Sequence, residues 1–280
     1  MLDMSRSLGE FLRARRQLTS VDQAGLTHGG GRRRTPGLRR EEIAMLAGLS
    51  TDYYTRLEQG REHNPSAQVL AGLAQAFQLG PDATDHLYRL AQPRARRQRG
   101  ASPADQVNDQ VDLRVLRFIE KLDDASVFVV NHRLDILAKN RVAAALLAGF
   151  EHTDNLIRLT FLNPAAREFW MDWEQEAAIN VAHLRAVAGA DHDDPNVREL
   201  VDELSRESED FRRLWARHDV RLRGQGFVRV RRGEVGEITL WNETVRLESA
   251  PGLYIFVGEA EPGSPSGDTL AKLRALSASN

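Results

Sequence analysis

Four side chains in the stretch 39–61, RREEIAMLAGLSTDYYTRLEQGR, carry hydrogen-bonding chemistry at a spacing that suits a nucleic-acid groove: Thr51, Asp52, Thr55 and Arg56. An arginine guanidinium can grip one guanine edge with two N–H groups. A carboxylate can accept from a cytosine amine, and a threonine can touch a thymine methyl. If 51–58 is helical, these four share its outer face, while Tyr54 and Leu57, three apart, turn inward. The preceding residues supply a partner that could hold this helix at an angle. Ile43, Ala44 and Ala47 fall on one face of a short helix, Gly48 breaks the pattern, Leu49 fills the corner and Ser50 is a good N-cap. Two short helices joined by a tight turn, the second with a polar outer face, make a helix-turn-helix.

Around that face the sequence offers phosphate contacts. Arg39, Arg40 and Arg61 stand at helix ends, and the Tyr53 hydroxyl can reach a DNA backbone. Arg56 can also pair with Asp52, four residues before it, as an ordinary helix-surface ion pair. Glu58 is read as a local cap or pair, not a DNA contact. Upstream, a glycine-rich connection carries Arg32, Arg33 and Arg34, a concentrated charge able to follow phosphates or enter a minor groove. It is not a nucleotide-phosphate loop, because the Gly-Lys-Ser/Thr ending is absent.

These elements belong to a five-helix module. Leu8, Phe11 and Leu12 form one stripe, Val69, Leu70, Leu73, Ala74 and Phe77 another, and Leu87 and Leu90 a third. Residues 1–100 carry 16 Arg against 10 Asp or Glu, while the rest carries 22 basic against 30 acidic residues. A basic third on an acidic body suits a polyanion-binding module joined to something else. The 280-residue chain has no cysteine, which excludes disulfides, thiolate metal sites and cysteine nucleophiles. No apolar run reaches the length of a membrane span and the N-terminus has no signal-peptide pattern, so a cytoplasmic protein with no membrane partner is expected.

Residues 93–108 read as a polar linker between a helix-turn-helix domain, 1–92, and a second domain, 109–262, followed by a short C-terminal helix and tail, 263–280. In the second domain SVFVVN and LDILAKN look like a hairpin. A long helical stretch then carries Trp170, Trp173, Ala177, Val181, Leu184 and Ala188 at spacings of three and four, and three more strands follow. Two strands, several helices and three strands give an α+β, PAS-like arrangement with an antiparallel sheet of about five strands. Phe128, Leu137, Phe169, Trp170, Trp173, Leu184, Trp215 and Phe256 supply apolar surface that could line a pocket, with Asn180 or Arg185 as polar anchors. The same aromatics could simply fill a core.

The order of helices with YxxLEQGR and Pro65–Ser66 resembles the Xre/Cro/C1 class of helix-turn-helix domains. More narrowly, LGEFLRARR, RRRTPGLRREE and STDYYTRLEQGR resemble the MmyB-like regulators, as do INVAHLRAVAG, HDDPNVRELVDELS, FRRLWARHDV, EVGEITL and AEPGSPS in the second half. The resemblance spans the chain. It implies a transcription regulator that reads double-stranded operator DNA, with base contacts at Thr51, Asp52 and Arg56. A lone helix-turn-helix reads few base pairs, so a homodimer on two half-sites is expected. The resemblance also implies a C-terminal domain that binds a small hydrophobic metabolite, fatty acid-like by family precedent. Lys139 departs from the family pattern in the second strand, and Arg231–Arg232 replaces a His–Pro pair.

Competing classes find less support. A photosensory flavin adduct needs a cysteine. Haem would need an axial ligand, for which His132, His152, His183, His192 and His218 are the candidates. The His192–Asp193–Asp194 run reads as a helix-start loop, not a metal site. No nucleophile elbow, HExxH or phosphate loop is present, so no catalytic residue, cofactor or metal is expected. The alternative from another class is a DNA-binding regulator whose C-terminal domain is a protein-interaction or dimerisation module without a ligand.

Overall fold

The computed structural model describes residues 4–26, 37–62, 64–91, 109–190, 194–233 and 235–278. Arg32, Arg33 and Arg34, and the whole of the linker 93–108, lie outside them. In the N-terminal unit, α1 (Met4–Leu18), α2 (Arg40–Leu46), α3 (Thr51–Glu58), α4 (Ala67–Ala76) and α5 (Pro81–Ala91) enclose one apolar core. Phe11, Leu12, Ile43, Tyr54, Leu57, Leu73 and Leu87 are fully buried there. The boundaries are chemical. The Ser50 hydroxyl accepts from Tyr53 N–H at 3.2 Å and the Ser66 hydroxyl from Val69 N–H at 3.3 Å, each satisfying an orphan donor of the helix it precedes. Gly48 ends α2 with φ 68, a left-handed conformation that costs glycine least, and so opens the turn into α3.

The second unit starts with α6 (Leu113–Ile119), followed by β1 (Ser126–Asn131), β2 (Ile136–Lys139), α7 (Arg141–Leu146), α8 (Leu156–Phe161), α9 (Ala166–Phe169), α10 (Trp173–Ala190), α11 (Pro195–Glu207) and α12 (Glu209–Trp215). It continues with β3 (Gly226–Arg232), β4 (Gly236–Arg246), β5 (Leu253–Glu259) and α13 (Pro265–Ala278). The five strands form one antiparallel sheet in the order β2-β1-β5-β4-β3. Alternation along the strands sorts two cores. Phe128, Val130, Val228, Val230, Ile238, Leu240 and Phe256 join the main core, where the helices pack. Val127, Val129, Leu253 and Ile255 form a smaller core with Ile119 of α6. Helix α13 packs against α7 and β4, burying Leu270 and Leu273 in the main core.

Two expectations are corrected. The long helical stripe does not run through Trp170. Residue 170 is extended (φ −84, ψ 106), it bridges Val230 of β3, and Met171 N–H donates to Arg229 O at 3.0 Å. Pairing with the sheet edge replaces a turn of helix, so Trp170 and Trp173 belong to different elements. The hairpin also carries a register shift between Val129 and Val130, which pair with Ala138 and Ile136, leaving Leu137 as the extra residue.

The two units touch. Helix α5 packs on α10, and Gly189 lies so near His86 that a Cβ there would meet the imidazole at 2.1 Å. Only glycine permits that approach.

Candidate nucleic-acid interface and sensor core

The outer face of α3 is presented to solvent: Thr51, Asp52 and Arg56 are exposed, Tyr53 and Thr55 half-buried. Arg56 is held by Asp52 at 3.2 Å and lies 5.8 Å from the Tyr53 ring centroid. Thr55 donates to Thr51 O at 2.7 Å. Ser50 serves as the cap described above. At the rim, Arg39 and Arg61 are exposed, and the Arg39 N–H donates to the Glu42 carboxylate at 2.6 Å.

Glu58 positions this face, and its main partner is not local. Its side chain is fully buried. It accepts from Arg16 Nε at 2.7 Å and Nη2 at 3.0 Å, and from Arg40 Nη2 at 2.8 Å and Nε at 3.1 Å. Burial pulls the Glu58 carboxyl upward, but the hydrogen bonds from Arg16 and Arg40 outweigh it and hold the group below the ordinary glutamate value. Arg16 also donates to Leu38 O at 2.9 Å, so one buried guanidinium ties α1, the start of α2 and the end of α3 together. Arg40 is thus engaged in fixing α3 as well as standing at the rim. Sequence reasoning missed Arg16. The clue was its place four residues after Leu12, continuing the stripe of Leu8 and Leu12.

In the second unit, Phe128, Trp170, Trp173, Leu184 and Phe256 come together in the main core. Trp173 Nε1 donates to Thr160 O at 3.0 Å. Trp170 is 7% exposed and its indole N–H has no acceptor among the described residues. Asn180 is a polar group of this core, as the sequence suggested, but its partner was not foreseen. Its Nδ2 donates to Thr160 Oγ1 at 3.0 Å and its Oδ1 accepts from Arg223 Nη1 at 2.8 Å. Arg223 Nη1 lies 2.9 Å from Glu176 Oε2, which nonetheless meets no hydrogen-bond geometry; the guanidinium sits 5.7 Å from the Phe256 ring centroid. Glu176, Asn180 and His183 recur at helical spacing on a largely apolar helix, the signal that could have exposed this polar seam. His183 Nε2 meets His132 O at 2.8 Å while Nδ1 accepts from Arg223 N–H at 3.1 Å, which assigns the neutral Nε2–H tautomer. Burial pushes its pKa down to about 4.

Two expected pocket residues lie elsewhere. Leu137, displaced by the hairpin's register shift, packs with the outer core under α6. Arg185 stands at the joint between the units: it stacks 3.7 Å above Trp215, donates to Trp215 O and meets His218 Nδ1 at 3.2 Å. Desolvation lowers its pKa to about 9. Trp215 packs at the edge of the main core, half-buried, with its ring stacked on that of Phe211 at 5.4 Å between centroids. At the departures from the family pattern, Lys139 pairs with Phe128, and Arg232 caps the Phe150 ring at 4.8 Å and donates to Ala148 O at 2.5 Å. Asp194 caps α11 by accepting from Asn196 N–H at 2.8 Å. A surface groove lined by Arg158, Arg198, Glu199, Asp202, Glu203 and Arg206 is charged and unsuited to an apolar molecule.

Among the described residues no helix is long and apolar enough to cross a membrane, and no group of three or more His, Cys, Asp or Glu could hold a metal. Residues 111–273 match the family described as MmyB-like transcription regulator ligand binding domain, and residues 7–87 match a helix-turn-helix domain family. The first match covers more than half of the chain, which belongs to this family of transcription regulators. Neither family is one of enzymes. No curated protein matches the chain.

Proposed function

We propose that the chain is a sequence-specific operator-binding protein that works as a homodimer and whose second unit senses a small hydrophobic molecule, fatty acid-like in character. The observation that carries the DNA half is the outer face of α3. Thr51, Asp52, Thr55 and Arg56 face away from the core on a helix whose far end is fixed by the buried Arg16–Glu58 pair. Such a helix enters a major groove with its first residues on base edges: Arg56 on guanine, Asp52 accepting from cytosine, Thr55 on a thymine methyl, and Arg39, Arg40, Arg61 and Tyr53 on the backbone. One helix of this kind reads few base pairs, which favours a symmetric dimer on two half-sites about one helical turn apart.

The sensing half rests on the mixed chemistry of the main core. Aromatic walls from Trp170, Trp173, Phe128 and Phe256 surround the Asn180–Arg223 seam, and the Trp170 indole N–H is an unfilled donor suited to a carbonyl or carboxylate oxygen. Ligand acts only through a difference in affinity between two arrangements of the protein.

Selection of binding sites from a random duplex library tests the first half. Enrichment of a two-fold symmetric element is the expected result, and no enrichment sinks the reading. Native mass spectrometry before and after denaturation tests the second, with release of a bound lipid expected. A second reading, a protein-binding C-terminal unit, is favoured by Phe227 and Trp241. They stack edge to face at 4.9 Å on β3 and β4 and are 65% and 40% exposed. A protein that stays unliganded after exposure to a fatty-acid panel supports that reading instead.

A further inference from the structure

Residues 216–223 run from the end of α12 to the approach of β3, and they reach into both units. At one end, Val220 packs in the core of the helix-turn-helix unit, and Asp219 accepts from Arg15 of α1 at 3.0 Å. At the other, three residues and roughly 10 Å of extended chain later, the Arg223 guanidinium enters the Glu176–Asn180 seam of the sensor core. The backbone between them is laced alternately to the two sides. Arg221 N–H donates to Ala182 O of α10 at 3.3 Å, Leu222 N–H to Asp82 Oδ2 in the first turn of α5 at 3.0 Å, and Arg223 N–H to His183 Nδ1 of α10 at 3.1 Å. His218, left-handed at φ 53, turns the chain out of α12 beside Arg185.

The other end of the connection lies on α1. Arg15 holds Asp219, and Arg16, the next residue, holds Glu58 at the end of the recognition helix. A shift of Asp219 and Val220 therefore acts on the same stretch of α1 that fixes α3, and it does so without covering the face of α3 that reads DNA.

We propose that 216–223 is a coupling strap: Arg223 reads the state of the polar seam in the sensor core, and Asp219 and Val220 are positioning residues that pass that state through α1 to the angle of α3. A ligand oxygen that competes for Arg223 or Asn180 changes how the strap is anchored, and the half-sites of a dimer are re-aimed. This rests on the sensing role proposed above and names how that role is regulated. It requires that a change confined to the seam be felt at α1 and α5 only while the strap is attached.

The test is amide hydrogen exchange by mass spectrometry on the full chain, with no ligand needed. Asn180→Leu removes the acceptor for Arg223 at similar volume. It is expected to speed exchange at least threefold in peptides from the second half of α1 and from α5. In a Val220→Gly background, where the strap's plug is gone, Asn180→Leu is expected to add nothing at those peptides, a coupling that a purely structural strap would not give. Asp219→Asn provides the same comparison should Val220→Gly fail to fold. Unchanged α1 and α5 exchange in Asn180→Leu overturns the proposal. So does an equal increment with the strap released, which would assign the coupling to α10 alone. Failure of the functional reading is seen separately, as absence of a selected DNA element with the exchange coupling intact.

Discussion

Glu58 and Arg223 are both side chains taken out of water, and the two units complete them differently. Glu58 receives four hydrogen bonds from two arginines, and Arg16 spends a further N–H on Leu38 O. Around Arg223 the Glu176 oxygen is close but unaligned and the Trp170 indole donor is unfilled. Buried polar groups are nearly always satisfied, so a saturated cluster marks scaffold and an incomplete one marks a place that a further molecule can complete. The Glu58 cluster is saturated, whereas the one beside Arg223 has a donor left over at Trp170.

The largest effect that would sharpen this contrast is the loss of Glu58. Glu58→Ala leaves Arg16 buried without its carboxylate, a change costing about 3–5 kcal/mol. Thermal unfolding followed by circular dichroism should show the helical N-terminal unit melting well before the sheet unit. Coincident transitions, little moved from the parent, would contradict the scaffold role.

Acid should break the comparison from the other side. His183 and His218 have folded pKa values pushed down to about 4 and about 3, His183 by burial and His218 by burial and then by the charges of Arg185 and Arg15. Both are neutral in the fold at pH 7, and the unfolded chain takes up protons first as pH falls. Stability is therefore full above the unfolded value of 6.5, declines from there toward pH 4, and levels below the folded values. His183 alone accounts for about 3 kcal/mol across that window. Glu58 acts in the same sense but in a more acidic window. Its depressed carboxyl contributes above the unfolded value of 4.5 and loses its contribution only as pH falls through the lower folded value. Urea midpoints by tryptophan fluorescence at pH 7.5, 6 and 5 should fall for the second unit, which holds all four tryptophans; a flat series would remove the buried-histidine account.

The smallest effect concerns reading DNA. Arg56→Ala should cost about 1–3 kcal/mol at one base position of a selected duplex. Stability should be unchanged, since its partner Asp52 is exposed. Arg40→Ala should lower stability through Glu58 and weaken all sequences alike. Titrations against single-base variants at two salt concentrations separate them. Equal losses on every sequence for Arg56→Ala would end its base-reading role.

Much of the helical unit was legible because its signals are local. Ser50, Gly48 and the Tyr54–Leu57 spacing each act within one turn of helix, and the strands betrayed themselves by alternation. What escaped depends on distance or on a single residue of register. Arg16 and Glu58 are 42 positions apart, and no periodicity links them. The extra residue in the β1–β2 hairpin sends Leu137 to the other face, an inversion that alternation cannot foresee. Trp170 fits a helical stripe by count, yet the edge of β3 claimed its backbone. Arg185 was read as an anchor because it follows the apolar stripe, but the face of α10 it occupies is covered by the other unit.

The Asp52–Arg56 pair on the recognition helix has a kinetic consequence. While it is closed, the leading face of α3 carries little net charge, and a phosphate that draws Arg56 repels Asp52. If α3 reads bases as proposed, random DNA gains little by opening the pair, and sliding and hopping with brief dwell times are expected. A site offering guanine to the one and a cytosine amine to the other exchanges one ion pair for two base contacts. In that proposed role the pair would act as a latch that separates search from residence.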